Sequence, residues 1–296
     1  MNKLVIATAV AAVLASSAAA AEMTAYGKVR LSLGLATEDA AGNKDKGLSN
    51  ESSRFGFKGS EDLGNGMSAV YQVEVGIDAD DNDGTYASNR IGMAGLKGDF
   101  GTVALGNMWT PSYTLVRGAH DPFNSVGGNV QTGNFPAGFR VNDAVAYMNK
   151  FGNVSFAGAI VPSNDASTDT EADSLMDHMD LAISVPVGPV TLGVAMGQTN
   201  ADVSANEKST SAVDIGWKSG DLALNVGLFQ TDLDDDWMAI TASFQAFTVQ
   251  FEDDGTDNQT SLGYVHKLSK KTSLFAELSS GDIADDETNV GIHVNF

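Results

Sequence analysis

The last nine residues, Thr288-Asn289-Val290-Gly291-Ile292-His293-Val294-Asn295-Phe296, put Thr288, Val290, Ile292, Val294 and Phe296 on one face of an extended chain and Asn289, Gly291, His293 and Asn295 on the other. Side chains alternate across a strand with a period of two, so this stretch reads as a strand with one apolar side and one wet side. The opposite end of the chain does the same, with Ala25, Gly27, Val29, Leu31, Leu33 and Leu35 set against Tyr26, Lys28, Arg30, Ser32 and Gly34. The parity recurs in 69–77, 179–185, 190–197, 213–218, 222–228, 238–244, 247–252 and 260–264. Several of these segments run nine residues or more, which a tilted membrane strand requires and an ordinary soluble strand does not.

Short turn signals separate the strands at 61–66, 97–101, 149–152, 186–189, 219–221, 245–246 and 268–271. Seven tight turns on one side imply eight hairpins, hence sixteen strands with both termini on that side. The remaining connections are longer and acidic, at 78–83, 165–177, 232–236, 253–257 and 282–287. Short turns at one rim and long polar loops at the other are the asymmetry of an outer-membrane barrel. Phe100, Phe151, Trp217, Phe244, Phe247 and Phe296 sit beside the short turns, where an interfacial girdle belongs. A soluble sandwich or jelly roll also alternates. It has no use for so many apolar faces, nor for a terminal Phe that completes an apolar row. An open sixteen-stranded sheet would leave two long edges, and closure removes them.

Composition narrows the function classes. Seventeen Lys and Arg against 38 Asp and Glu give a net charge of −21, and such a surface repels nucleic acid. A hydrophobic fraction of 43 % is too high for a disordered acidic chain. Without cysteine, disulfides, thiolate metal sites and cysteine nucleophiles are all excluded. Residues 1–21 read as a signal peptide: Lys3 forms the basic region, Leu4 to Ala15 the apolar core, and Ala18-Ala19-Ala20-Ala21 the cleavage site. The mature chain, 22–296, is then an exported protein with no apolar run long enough for a transmembrane helix.

One connection breaks the pattern. Between Asn107 and Arg140 lie about thirty residues with no strand rhythm, including His120-Asp121-Pro122-Phe123, Gly127-Gly128 and Gly133-Asn134-Phe135-Pro136. A sixteen-stranded barrel encloses water. A loop folded into that lumen narrows it; the same loop could equally stand outside or cover a neighbouring subunit.

At this point the chain resembles the trimeric general diffusion porins of Gram-negative outer membranes. The resemblance rests on Ala25-Tyr26-Gly27-Lys28, Ser53-Arg54-Phe55-Gly56-Phe57-Lys58-Gly59 and Glu61-Asp62-Leu63-Gly64-Asn65-Gly66. It continues through Asn89-Arg90-Ile91-Gly92-Met93-Ala94-Gly95-Leu96, Asp99-Phe100-Gly101-Thr102-Val103-Ala104-Leu105-Gly106, Leu268-Ser269-Lys270-Lys271-Thr272 and Phe296. It implies an all-β fold, a 16-stranded antiparallel transmembrane β-barrel with an inward-folded third loop, and a homotrimer. It also implies an eyelet in which basic wall residues, here Lys28, Arg30, Arg54, Arg90 and Arg140, face an acidic loop. This loop offers Asp121 as its acid and adds Arg117.

Parity places Lys28, Arg30, Arg54, Lys58, Arg90 and Arg140 on the wet face of the first six strands, with Glu74 among them. Asp180, Asp214, Glu252 and Glu277 lie on the wet face of strands eight to fifteen. Opposite signs on opposite walls set up a field across the water that orients dipolar solutes. Asp143 is a misfit, since alternation turns it toward lipid unless a bulge intervenes. Few aromatics fall on the wet face: Tyr26, Trp237 and Phe275.

No catalytic motif is present: Gly-x-Ser-x-Gly, His-Glu-x-x-His and Gly-Lys-Ser are all missing, and the four histidines are scattered. Asp78-Ala79-Asp80-Asp81-Asn82-Asp83-Gly84 fails the EF-hand register, because Arg90 stands where the bidentate Glu belongs. No cofactor or metal site is expected, beyond loose Ca²⁺ or Mg²⁺ binding at the acidic loops, bridging to lipopolysaccharide. The resulting expectation is a passive outer-membrane channel, not an enzyme, that passes small hydrophilic solutes and ions among outer-membrane lipids. The constriction would comprise Lys28, Arg30, Arg54, Lys58, Glu74, Arg90, Asp121 and Arg140. Acidic mouths favour a weak cation preference at low salt. The competing readings are a substrate-specific channel and an adhesin or structural barrel.

Overall fold

Alternation along each segment becomes, in three dimensions, one face against lipid and one face turned inward. The computed structural model describes residues 22–38, 44–45, 47–80, 88–126, 138–162, 176–200, 208–232, 236–283 and 286–296. The predicted signal peptide and most of the long acidic connections lie outside the described residues. The spanning strands are β1 (Glu22–Glu38), β2 (Arg54–Gly64), β3 (Met67–Gly76), β4 (Ser88–Gly98), β5 (Gly101–Trp109), β6 (Arg140–Phe151), β7 (Val154–Pro162) and β8 (Met176–Val187). They continue with β9 (Val190–Thr199), β10 (Lys208–Ser219), β11 (Leu222–Thr231), β12 (Trp237–Phe244), β13 (Phe247–Asp253), β14 (Asn258–Lys267), β15 (Thr272–Gly281) and β16 (Asp286–Asn295). Two short segments, Lys44–Asp45 and Leu48–Asn50, add to β1 beyond the end of β2.

Each strand pairs antiparallel with its neighbours in sequence, and β1 pairs with β16 from Lys28↔Asn295 to Glu38↔Asp286. The seam is extended by Gly27 and Phe296, whose backbones exchange hydrogen bonds in both directions. The result is a closed sixteen-stranded antiparallel barrel with no free edge, which lipid demands because it satisfies no backbone group. All seven predicted tight turns join hairpins; Gly152 turns one of them with φ +63°, a conformation that costs a residue without Cβ little.

The outer face carries large exposed apolar side chains, such as Leu192, Val194 and Met196 on β9, with buried Ala195 between them on the other side. Phe100, Phe151, Trp217, Phe244, Phe247 and Phe296 are all exposed near the short turns.

The inner face is less uniformly polar than alternation implied. Register pairs Ala104 with Ala146 and Ala146 with Ala159. Ala157 pairs with Ala182, Ala182 with Ala195, and Ala195 with Ala212. These alanines are buried. The β5–β6 connection covers part of this belt: Val116 and Leu115 pack on Ala182, Ala195 and Ala212.

That connection is also not devoid of regular structure where it is described. Helix α1 (Pro111–Leu115) begins with Thr110 as N-cap, its hydroxyl accepting from the Tyr113 N–H, and Pro111 at the first helical position. A 3₁₀ turn, Arg117–His120, follows. The Thr-Pro start signal was present in the sequence.

Two local irregularities settle side-chain directions that alternation leaves wrong. The β5–β6 register shifts between Gly106 and Met108, and Asp143 sits in the resulting bulge at φ +52°, exposed. Its misfit is therefore a bulge residue, not a carboxylate in hydrocarbon. Arg90 reaches the interior for a related reason. The parity reading puts Arg90 inward, and it does line the cavity, but not by alternation: Ile91 and Met93 pair with the inward Glu74 and Gln72, and a register shift between Glu74 and Val75 re-aims Arg90.

Candidate functional site

Strand β1 supplies Lys28 and Arg30, β2 supplies Arg54, β4 supplies Arg90 and β6 begins with Arg140. With Glu51, Asp121 and Asn124, these side chains line one cavity of about 490 Å³. Of the eight predicted constriction residues, six meet there: Lys28, Arg30, Arg54, Arg90, Asp121 and Arg140. The other two lie off its lining. Lys58 rests over the Tyr26 ring at 5.4 Å. Glu74 is buried beneath the basic cluster, accepting from Arg90 Nε at 2.8 Å and facing Arg54 Nε at 3.6 Å. It also accepts from the Tyr26 hydroxyl at 3.1 Å. One buried carboxylate thus holds two guanidinium groups in place, which offsets the repulsion between them.

The acids predicted to face water across the lumen do not do so. Asp180, Asp214, Glu252 and Glu277 are only 1 %, 5 %, 1 % and 2 % exposed. Three of them anchor the 110–126 segment instead. Asp180 accepts from the Ser112 N–H and hydroxyl, both at 2.7 Å, with Arg117 nearby, itself bonded to Gly138 O. Asp214 meets His120 Nε2 at 2.8 Å. The other His120 nitrogen lies 3.0 Å from the Thr241 hydroxyl, and Gln250 donates to the backbone oxygen of His120 at 2.9 Å. Glu277 receives the most: N–H and side-chain NH₂ of Asn124 at 2.8 and 2.7 Å, N–H and hydroxyl of Ser125 at 2.7 and 2.9 Å. Asn124 then accepts from Arg30 Nη1 at 2.7 Å, linking this anchor to the basic cluster. Buried carboxylates saturated by donors in this way are stable, whereas bare ones are not.

Titration behaviour of the groups outside the strands follows from burial. Arg117 is pushed down to about 10 by burial, against the pull of Asp180, and so stays charged at neutral pH. Burial, then the hydrogen bond to Asp121, raises the Tyr113 phenol, so it remains the donor to Asp121 Oδ2 at 2.6 Å. Burial also raises the Glu51 carboxyl, opposed by the Ser32 hydroxyl and by Arg30.

Sequence reasoning missed Glu51, Asn124 and the aromatic side of the cavity. Trp109 stacks on Tyr113 at 4.8 Å and 17°, and Phe139 meets Tyr113 edge to face at 5.2 Å and 88°. Arg140 lies 5.1 Å and Arg90 6.0 Å from the centre of the Trp109 ring, at cation–π distance. These residues stand at strand ends or within the irregular connection, where a period-two pattern carries no information. Among the described residues no group of three or more His, Asp or Glu side chains is placed to hold a metal ion.

Residues 7–286 match the family described as Gram-negative porin. Outer membrane porin protein 32 of Delftia acidovorans is 28 % identical over 314 residues, covering 94 % of this chain and 89 % of the relative. Major outer membrane protein P.IB of Neisseria gonorrhoeae is 37 % identical over 118 residues, 38 % of this chain and 33 % of that protein. Among solved structures, the anion-selective porin from Comamonas acidovorans superimposes with a TM-score of 0.77 at 23 % identity, covering 94 % of this chain and all of that one. A family match over nearly the whole length, a closed sixteen-stranded barrel and a lined aqueous cavity converge. The chain belongs to the Gram-negative porins, passive channels of the outer membrane.

Proposed function

We propose that the 110–126 segment runs inward as the eyelet of this channel and that the pore prefers small hydrophilic anions. The observation that carries this reading is the charge count at the cavity: Lys28, Arg30, Arg54, Arg90 and Arg140 against Glu51 and Asp121. Selectivity is decided where the pore is narrowest, because there an ion sheds most of its water and sits within one Debye length of every wall charge. The acidic outer loops enrich cations only at the mouths, so the weak cation preference drawn from net charge gives way to the local basic excess. The similar Comamonas acidovorans protein is an anion-selective porin, which supports the reading. Solutes pass without chemical change, and the barrels associate as homotrimers in the outer membrane. The acidic loops add loose Ca²⁺ or Mg²⁺ binding, read as a loss of unfolding temperature on chelation. The deciding experiment is the zero-current potential of the purified protein in a planar bilayer under a KCl gradient. An anion-selective sign is expected; a cation-selective sign refutes the proposal.

A further inference from the structure

The cavity has a second wall that a filter for small inorganic ions does not need. Trp109, Tyr113 and Phe139 are half-buried, touch one another and line the same space as Arg54, Arg90 and Arg140. Apolar ring surface at a watery constriction is unfavourable unless something covers it. Part of it is accounted for, because Arg90 and Arg140 approach the Trp109 ring and Tyr113 stacks on it. Phe139 is different. In a T-shaped pair it keeps at least one face clear of Tyr113, whichever ring is edge-on.

We propose that this cavity is a binding site for aromatic carboxylates, taking the carboxylate on the guanidinium cluster and laying the ring against Phe139 and Tyr113. Planar guanidinium groups match a carboxylate with two parallel hydrogen bonds. A flat ring stacks offset or edge-on against the aromatic wall. A volume of about 490 Å³ lies within the range of small-molecule sites. The charges draw any anion in, and the rings then sort anions by shape. This inference rests on the anion preference proposed above and narrows it to a substrate class.

The test uses two carboxylates of like size, benzoate and cyclohexanecarboxylate, as blockers of chloride current through single channels of the wild-type protein. A stacked ring adds about a threefold to tenfold advantage beyond its buried area, so benzoate reaches half-block at a concentration lower by that factor. Equal potency of the two overturns the proposal. Phe139→Leu keeps apolar bulk and removes the flat face, and is expected to bring the two blockers together; a persisting gap overturns the assignment of Phe139. Should that variant fail to insert, the wild-type comparison decides alone. Zero-current potentials recorded on the same channels keep the two readings apart. A cation-selective sign removes the anion preference, whereas equal block with an anion-selective sign removes only the ring site.

Discussion

The Glu277 carboxylate accepts the backbone N–H of Asn124 at 2.8 Å across 153 positions of sequence. Strand β15 thereby holds the connection that leaves β5 on another part of the wall. Asp180 and Asp214 hold the connection nearer its start, the first at the Ser112 N–H and the second at the His120 ring. The acids serve as fixing points, and the basic cluster is left to face the water with little opposition.

Replacing Glu277 by Ala removes the acceptor for four donor groups. Hydrogen bonds to a charged group are worth about 1.5–3 kcal/mol each, so the connection loses its hold near Asn124 before the barrel itself unfolds. Single-channel recordings should show larger, noisier conductance, with the thermal unfolding of the barrel lowered only modestly.

A bulky residue at Gly193 acts in the opposite direction. A Cβ there would stand 3.2 Å from the Val116 side chain and 3.5 Å from the Leu115 carbonyl. Gly193→Leu is therefore expected to lift the connection off β9 into the lumen, lowering unit conductance and costing about 1–3 kcal/mol of stability by overpacking.

Charge removal at the cavity should shift selectivity without closing the pore. Arg54→Ala or Arg140→Ala takes away one of five cations. At roughly 1 kcal/mol for charges a few ångström apart in water, the anion-to-cation permeability ratio falls by roughly fivefold. The effect is greatest at low salt and fades toward 1 M, where the Debye length shrinks to about 3 Å. A ratio indifferent to salt would contradict the electrostatic account.

Acidification has a defined sign. Burial raises the Glu51 carboxyl, so it takes up its proton at a higher pH than an ordinary carboxylate. Lowering the pH from neutral neutralises it ahead of exposed acids and increases the net positive charge of the cavity. Anion selectivity should therefore rise on mild acidification, as read from zero-current potentials, and Glu51→Gln should show the higher value already at neutral pH with that step gone.

The buried His120 couples three strands, with Asp214 on β10, Thr241 on β12 and Gln250 on β13 in contact. His120→Leu leaves Asp214 buried without its partner, a loss of about 1–3 kcal/mol. Asp214→Asn in the same background should restore part of it, measured by thermal unfolding of the purified barrel.

Fold, membrane placement and most of the basic cluster were legible in the chain. A strand repeats every two residues, and a barrel wall between lipid and water writes that repeat into composition, so Val290, Ile292 and Val294 sort from His293 and Asn295 without any knowledge of neighbours. The same rule named Lys28, Arg30 and Arg54 as inward. It named Arg90 inward as well, though a register shift and not the repeat puts that side chain there, and it stopped where the repeat is broken: Asp143 occupies a bulge, and Trp109, Tyr113 and Phe139 stand at a strand's end or outside the strands. It also said nothing about what covers the inner wall. Asp180, Asp214 and Glu277 looked like lumen acids because polarity reports only that a partner is polar, not whether it is water or protein. Only folding brought Ser112, His120 and Asn124 onto them. Local pattern determined the side each residue takes; long-range contact decided whether that side meets solvent.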